Sequence, residues 1–156
     1  MHLAPIRSLE QHEPLISPPK EELMPVFNAH IPANRFSSAQ KRALADALNQ
    51  SLVQGLGIPE GDRFIMISEH GTDELFLDPT FMGMQRSSDA MIITVLLGAH
   101  RPLEDKRAVA AAINRLVVEA LGVSPDDIFI ALIPAPNENF SFGRGELQLA
   151  EGAPRW

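Results

Sequence analysis

The feature that most constrains this chain is an internal repeat. The segment QKRALADALNQSLVQGLGIPEGDRFI, from Gln40, aligns without a gap on DKRAVAAAINRLVVEALGVSPDDIFI, from Asp105, at a constant offset of 65 residues. Lys-Arg-Ala, an asparagine, Leu-Gly, an aspartate and Phe-Ile recur in register, and most mismatches exchange one apolar residue for another. Each copy carries a helical period and runs into a short apolar string, so the chain reads as two β-α-β units in tandem. A strand–helix–strand crossover favours parallel pairing and a right-handed connection. Two merged units give an α/β fold: a four-stranded mixed sheet with both helices on one face. The other face of that sheet is also apolar and needs a cover, which a homo-oligomer supplies by packing each sheet against neighbouring subunits.

The elements follow from local pattern. Pro25–Ile31 (PVFNAHI) alternates loosely and reads as the first strand. Ser37, with Gln40 three residues on, has capping-box spacing and starts a helix. Leu44, Ala47, Leu48, Leu52 and Leu56 form its apolar stripe, and each buried leucine contributes about 2 kcal/mol before the entropy of ordering is subtracted. Gly55 and Gly57 are read as ending it. RFIMIS (63–68) is a second strand. MIITVLL (91–97) is almost unbroken apolar sequence and reads as a strand buried on both faces. Leu103–Leu121 is a second helix and IFIALI (128–133) a fourth strand. The same offset pairs Pro25 with Ala90, the residue before the third strand, so Pro25 opens the first unit. Residues 1–24 lie outside the duplication. They hold four prolines, scattered charges and no sustained period, and no independent fold is expected of them. The folded domain is residues 25–156.

Composition narrows the function. With 156 residues, 45% of them hydrophobic, the chain suits one domain with a real core. Its net charge of −7 repels nucleic acid and anionic membranes, so an anionic substrate needs a local basic pocket. The absence of cysteine removes thiolate nucleophiles and thiolate metal sites. The five histidines have no metal-ligand spacing, and neither a metal nor another cofactor is expected. No apolar run has membrane-spanning length and the N-terminus has no apolar signal region, so the expectation is a cytoplasmic protein.

Local strings then point to a family. GIPEGDRF (57–64), ISEH (67–70), QRSSDAMIITV (85–95), GVSPDDIFIALI (122–133) and FSFGRG (140–145) stand in the order and spacing of the tautomerase superfamily. From Pro25 to about Gly152 the chain resembles that superfamily, and within it the malonate semialdehyde decarboxylase group. The resemblance implies a homotrimer, no cofactor, and a small keto, enol or β-keto acid as substrate. It also implies that the start methionine is removed and that the proline after it is the catalytic amino terminus. Met24 is then the biological start and residues 1–23 are extra. The run Lys20-Glu21-Glu22-Leu23 agrees with this, because its codons allow a ribosome-binding sequence before an internal start. The open alternative is that residues 1–23 are a genuine arm.

Pro25 is the first candidate. An α-amino group has a pKa of about 7.7–8.0, lowered by apolar burial and raised by a carboxylate. The neutral amine moves protons between carbon and oxygen; the ammonium polarises a carbonyl or protonates a carbanion. The plain alternative is a proline at a strand's first position, where its missing N–H does no harm. Arg101, in GAHRP (98–102), is suited to grip a substrate carboxylate with two parallel bonds, or is simply a solvated arginine beside a helix. The resembled decarboxylases carry two arginines flanking a proline at this place, whereas this chain has Ala99, His100 and Arg101. His100 is the candidate for the missing charge. Asp62 matches the family's aspartate in the turn before the second strand, where it assists the amine, but Asp127 holds the same place in the second unit and a turn aspartate has backbone bonds to make. Phe140 and Phe142 correspond to the aromatics that wall the family's pocket, and also suit plain cover for the sheet. Decarboxylation is the leading chemistry, and tautomerisation of a 2-oxo acid is second because the arginine pair is incomplete. If residues 1–23 are retained, Pro25 is an amide nitrogen without proton affinity, and the fold only binds a carboxylate or a partner chain.

Overall fold

Ser37 opens the first helix by local chemistry: its Oγ accepts from the Gln40 N–H at 3.1 Å, and the Gln40 side chain accepts from the Ser37 N–H at 2.9 Å. The computed structural model describes residues 25–150. The expectation for residues 1–24 falls outside them. The elements run β1 (Val26–Pro32), α1 (Ser38–Leu56), β2 (Phe64–His70), β3 (Met91–Gly98), α2 (Leu103–Leu121) and β4 (Ile128–Ala135). The sheet order is β2-β1-β3-β4. β1 pairs parallel with β2, β3 pairs parallel with β4, and the two units join through an antiparallel β1–β3 ladder.

The duplication is visible as paired devices. Both helices end on a left-handed glycine, Gly57 at φ 67° and Gly122 at φ 69°, a conformation that a side chain would strain. Asn49 donates from Nδ2 to the Glu60 carbonyl at 3.0 Å, and its repeat mate Asn114 donates to the Pro125 carbonyl at 2.9 Å. Each asparagine thereby ties its helix to the turn that feeds the next strand. The expectation that Gly55 also ends α1 is corrected: the helix runs through it to Leu56. A Cβ on Gly55 would stand 3.1 Å from the Val109 Cα, so the glycine permits a close crossing of α1 and α2.

One face of the sheet supports the core. Phe27, Ala29 and Ile31 of β1 and Met91, Ile93, Val95 and Leu97 of β3 are buried against Leu44, Leu48 and Leu52 of α1 and Val109, Ile113 and Val117 of α2. β3 is not buried on both faces, as its apolar run suggested. Its residues alternate between buried and half-buried, because only the helix side is covered within one chain. The other side exposes Phe64 and Met66 on β2 and Phe129 and Ile133 on β4. Among the described residues, no helix is long and apolar enough to cross a membrane.

Candidate active site

The sheet topology sets which ends meet. Val26 pairs with Phe64 on one side and Leu96 on the other. Pro25, one residue earlier and buried, therefore lies abreast of Arg63 and Leu97. Beyond β3 the chain turns, and the Arg101 N–H donates to the Gly98 carbonyl at 3.3 Å. Asp62 stands in the turn that enters β2, its N–H donating to the Pro59 carbonyl at 3.1 Å. Pro25, Asp62 and Arg101 thus come from three separate segments to one end of the sheet. His100 shares the turn with Arg101 and is exposed.

Arg101 is held rather than solvated. Its side chain is 14% exposed, and Nη1 stands 3.1 Å from Asp105 Oδ2, one helical turn on. Asp105 lies in the first turn of α2, where a carboxylate is favoured by the helix dipole. The pair fixes the orientation of the guanidinium. Arg63 is differently committed. Its Nη2 donates to Asp46 of α1 at 2.7 Å, and this draws it to the helix side of the sheet.

The two repeat-related aspartates have separate fates. Asp127 is 1% exposed, and its carboxylate accepts from the Ser87 N–H, the Ser87 hydroxyl and the Ser124 N–H. It is a structural knot. Asp62 is half-buried, and its carboxylate has no hydrogen-bond partner among the described residues. An aspartate at the same place in the same turn, left without the bonds its twin makes, is available for other chemistry.

Aromatic rings flank this end. Phe140 and Phe142 stack with centroids 6.1 Å apart, and Phe142 meets Phe64 at 6.3 Å. Phe64 was not among the residues singled out from sequence. Its signal was present: it opens β2 directly after the turn that carries Asp62, and the same offset makes it the twin of Phe129. The segment that carries Phe142 is bent by Gly143, Arg144 and Gly145, all at positive φ, and held by Gln148, which accepts from the Phe142 N–H at 2.9 Å. An apolar wall of this kind excludes water and strengthens charge interactions beside it.

A cavity of about 370 Å³ lies at the opposite end of the sheet, lined by Arg35, His70, Thr72, Leu75 and Ser87 among others. None of the residues expected to carry chemistry lines it. There His30 Nδ1 and His70 Nε2 approach to 2.8 Å, while Arg35 is taken up by Asp89 and Ser88.

Comparison with known proteins agrees with this architecture. Residues 62–143 match the family profile described as tautomerase enzyme. A probable tautomerase of Bacillus subtilis (strain 168), YusQ, is 30% identical over 128 residues, which cover 82% of this chain and all of that one. The crystal structure of FG41 malonate semialdehyde decarboxylase inhibited by 3-bromopropiolate is similar at TM-score 0.72 and 35% identity, covering 79% of this chain and 92% of that one. A fused 4-OT solved as a symmetric trimer is similar at TM-score 0.66 and 25% identity, covering 80% of this chain and 98% of that one.

Proposed function

The chain belongs to the tautomerase superfamily, in its malonate semialdehyde decarboxylase-like group, and on that premise we propose that it is a cofactor-independent decarboxylase of a small β-keto acid that works through an amino-terminal Pro25. The observation that carries this reading is the shared end of the sheet, where Pro25, Arg101 and Asp62, whose carboxylate has no hydrogen-bond partner among the described residues, gather beside Phe64, Phe140 and Phe142.

The chemistry follows from the groups. Arg101 binds the substrate carboxylate while Asp105 fixes the guanidinium. The Asp62 carboxylate favours the protonated prolyl amine, as an opposite charge raises an amine's pKa. The ammonium then donates a hydrogen bond to the β-carbonyl oxygen. The bond between the α-carbon and the carboxylate breaks, CO2 leaves, and the electron pair passes into an enolate whose oxygen the ammonium stabilises. The α-carbon takes a proton and the aldehyde or ketone is released. Phe64, Phe140 and Phe142 exclude bulk water, and His100 stands at the rim next to Arg101.

One observation favours a second reading. A single arginine stands where the resembled decarboxylases have two, so the hold on a departing carboxylate is weaker here. With a neutral amine the same constellation would shift a proton between the oxygen and carbon of an enol acid, which is tautomerisation. In either case the likeness to a fused 4-OT trimer supports a homotrimer as the working assembly.

The test is to prepare the chain beginning at Pro25 and offer it a β-keto acid and phenylenolpyruvate in parallel. The proposal expects CO2 release from the β-keto acid that is lost in Pro25→Ala. Ketonisation of the enol acid alone would establish the tautomerase reading. Turnover of neither would overturn both.

A further inference from the structure

We infer that the cavity at the far end of the sheet is the second repeat's counterpart of the Pro25 site, kept as a binding site for a small carboxylic acid with an apolar body but unequipped to turn it over. The inference goes beyond the proposed function: it rests on the duplication and on the cavity, not on any chemistry of Pro25.

The 65-residue offset carries one end of the sheet onto the other. It pairs Pro25 with Ala90, Asp62 with Asp127, and the β3–α2 turn that holds Arg101 with the β1–α1 turn that holds Arg35. The antiparallel β1–β3 ladder sends the two sets to opposite ends. Pro25 lies abreast of Leu97, and by the same register Ala90 lies abreast of Pro32. Pro32, Ala90 and Arg35 all line the cavity of about 370 Å³. A pocket is thus found where the repeat calls for one, and its volume lies within the roughly 300–1,000 Å³ of small-molecule sites.

The residues there have diverged towards binding without turnover. Ala90 sits inside the chain and offers a peptide nitrogen, with no amine to take or give a proton. Asp127 is spent on Ser87 and Ser124. The cation is kept. Arg35 stands one place before the repeat mate of Arg101, and an aspartate orients each arginine. Asp89 Oδ1 accepts from Arg35 Nε at 2.8 Å, as Asp105 accepts from Arg101. Ser88 Oγ accepts from Arg35 Nη2 at 3.0 Å and keeps its own proton to donate. Arg35 Nη1 and the Thr72 hydroxyl have no hydrogen-bond partner among the described residues. His70 is fixed beside them by its 2.8 Å contact with His30.

The lining selects the ligand. In a chain of net charge −7, none of the described residues that line the cavity carries a carboxylate. Asp89 lies behind Arg35, and Glu74 stands beside the lining residue Gly71, its Oε1 3.1 Å from where a Cβ there would be. An anion entering the cavity meets Arg35 Nη1 and the hydroxyls of Thr72 and Ser88, and a charge-assisted bond of this kind is among the stronger ones. Pro32, Leu75, Leu77 and Ala90 supply an apolar wall for a carbon body, which inorganic phosphate lacks. A small carboxylic acid satisfies both parts.

The test is a titration of the isotope-labelled full chain, followed by its amide chemical shifts. Phenylacetate is expected to give saturable shifts at Thr72, Ser88 and Ala90, with binding weakened about 10-fold or more in Arg35→Met, the worth of a hydrogen bond to a charged group. The same shifts are expected to persist in Arg101→Ala, which separates this end from the Pro25 site. Phenylacetamide and inorganic phosphate are expected to bind far more weakly. Absence of shifts at the three amides overturns the inference, even where the Pro25 site turns over substrate. Shifts in a chain whose Pro25 site proves inactive support the inference while the proposed function fails. Equal binding of phenylacetamide reduces the cavity to an apolar hole, and equal binding of phosphate makes it a general anion site; either overturns the carboxylate assignment. If Arg35→Met does not fold, Thr72→Trp decides by setting an indole in the cavity. Loss of the shifts at Ser88 and Ala90 then supports the site, and undiminished shifts overturn it.

Discussion

Ser87 donates its backbone N–H and its hydroxyl to the two carboxylate oxygens of Asp127, at 2.6 and 2.8 Å. The bonds fasten the β2–β3 connection to the second repeat and consume an aspartate whose twin in the first repeat, Asp62, has no such partner among the described residues. Divergence of a duplicated position into a structural and an available carboxylate is the clearest asymmetry in the fold.

Asp127→Ala is therefore expected to destabilise the chain by about 2–3 kcal/mol, since it removes a buried charged acceptor and leaves its part-buried donors without a partner. Asp62→Asn is expected to change stability by no more than about 0.5 kcal/mol and to lower kcat about 100-fold, in the range of lost acid–base assistance. Urea denaturation and steady-state kinetics separate the two. Equal stability losses would contradict the division of roles.

Arg101→Ala in the chain beginning at Pro25 is expected to raise KM for the carboxylate substrate about 10- to 100-fold, the worth of a charge-assisted bidentate pair. A lysine at this place restores only part, because a point charge cannot make two parallel bonds. An unchanged KM in Arg101→Ala would remove the arginine from the substrate's contacts.

Gly55→Ala is expected to lower stability by about 1–2 kcal/mol, although alanine in a helix interior is intrinsically better by about 1 kcal/mol. The new Cβ would stand 3.1 Å from the Val109 backbone and push α1 from α2. A rise in melting temperature would show that the crossing relaxes freely.

The pH dependence of the β2–β3 connection has a definite sign. The backbone N–H of Thr80, with those of Phe81 and the Thr80 hydroxyl after it, and more weakly the Arg86 charge, hold the Asp78 carboxyl below its ordinary value of 3.8. A depressed folded pKa means that the stabilising contribution is fully present above the unfolded value and is lost as pH falls through the folded one. The amides of Thr80 and Phe81 are expected to lose hydrogen-exchange protection only below that ordinary value, and to lose it at neutral pH in Asp78→Ala. Protection that persists in Asp78→Ala would contradict the role of the carboxylate.

Much of the fold was legible because its determinants are local or repeated. The Ser37–Gln40 cap, the span of α2 and the pairing of the two units follow from spacing alone. What could not be read depends on contacts distant in sequence. Glu69 and His70 look too polar for a strand, yet β2 includes them because Lys41 pairs with Glu69 and His30 meets His70. Gly55 looks like a helix terminator, but it serves the approach of Val109 from the other repeat. For the candidate site, Pro25, Asp62 and Arg101 were expected from their matches to a family pattern, and the register of the sheet brings them to one end. Phe64 was overlooked because a phenylalanine at the start of a strand reads as core until its partner Phe142 is placed above it.

The central claim is that a free prolyl nitrogen at residue 25 performs the chemistry. It is tested most directly by assaying three preparations side by side: the chain beginning at Pro25, the same chain with Pro25→Ala, and the 156-residue chain with its amino-terminal segment kept intact. Turnover confined to the first is the predicted result. Equal turnover in all three would contradict the account, because an amide nitrogen has no proton affinity to lend.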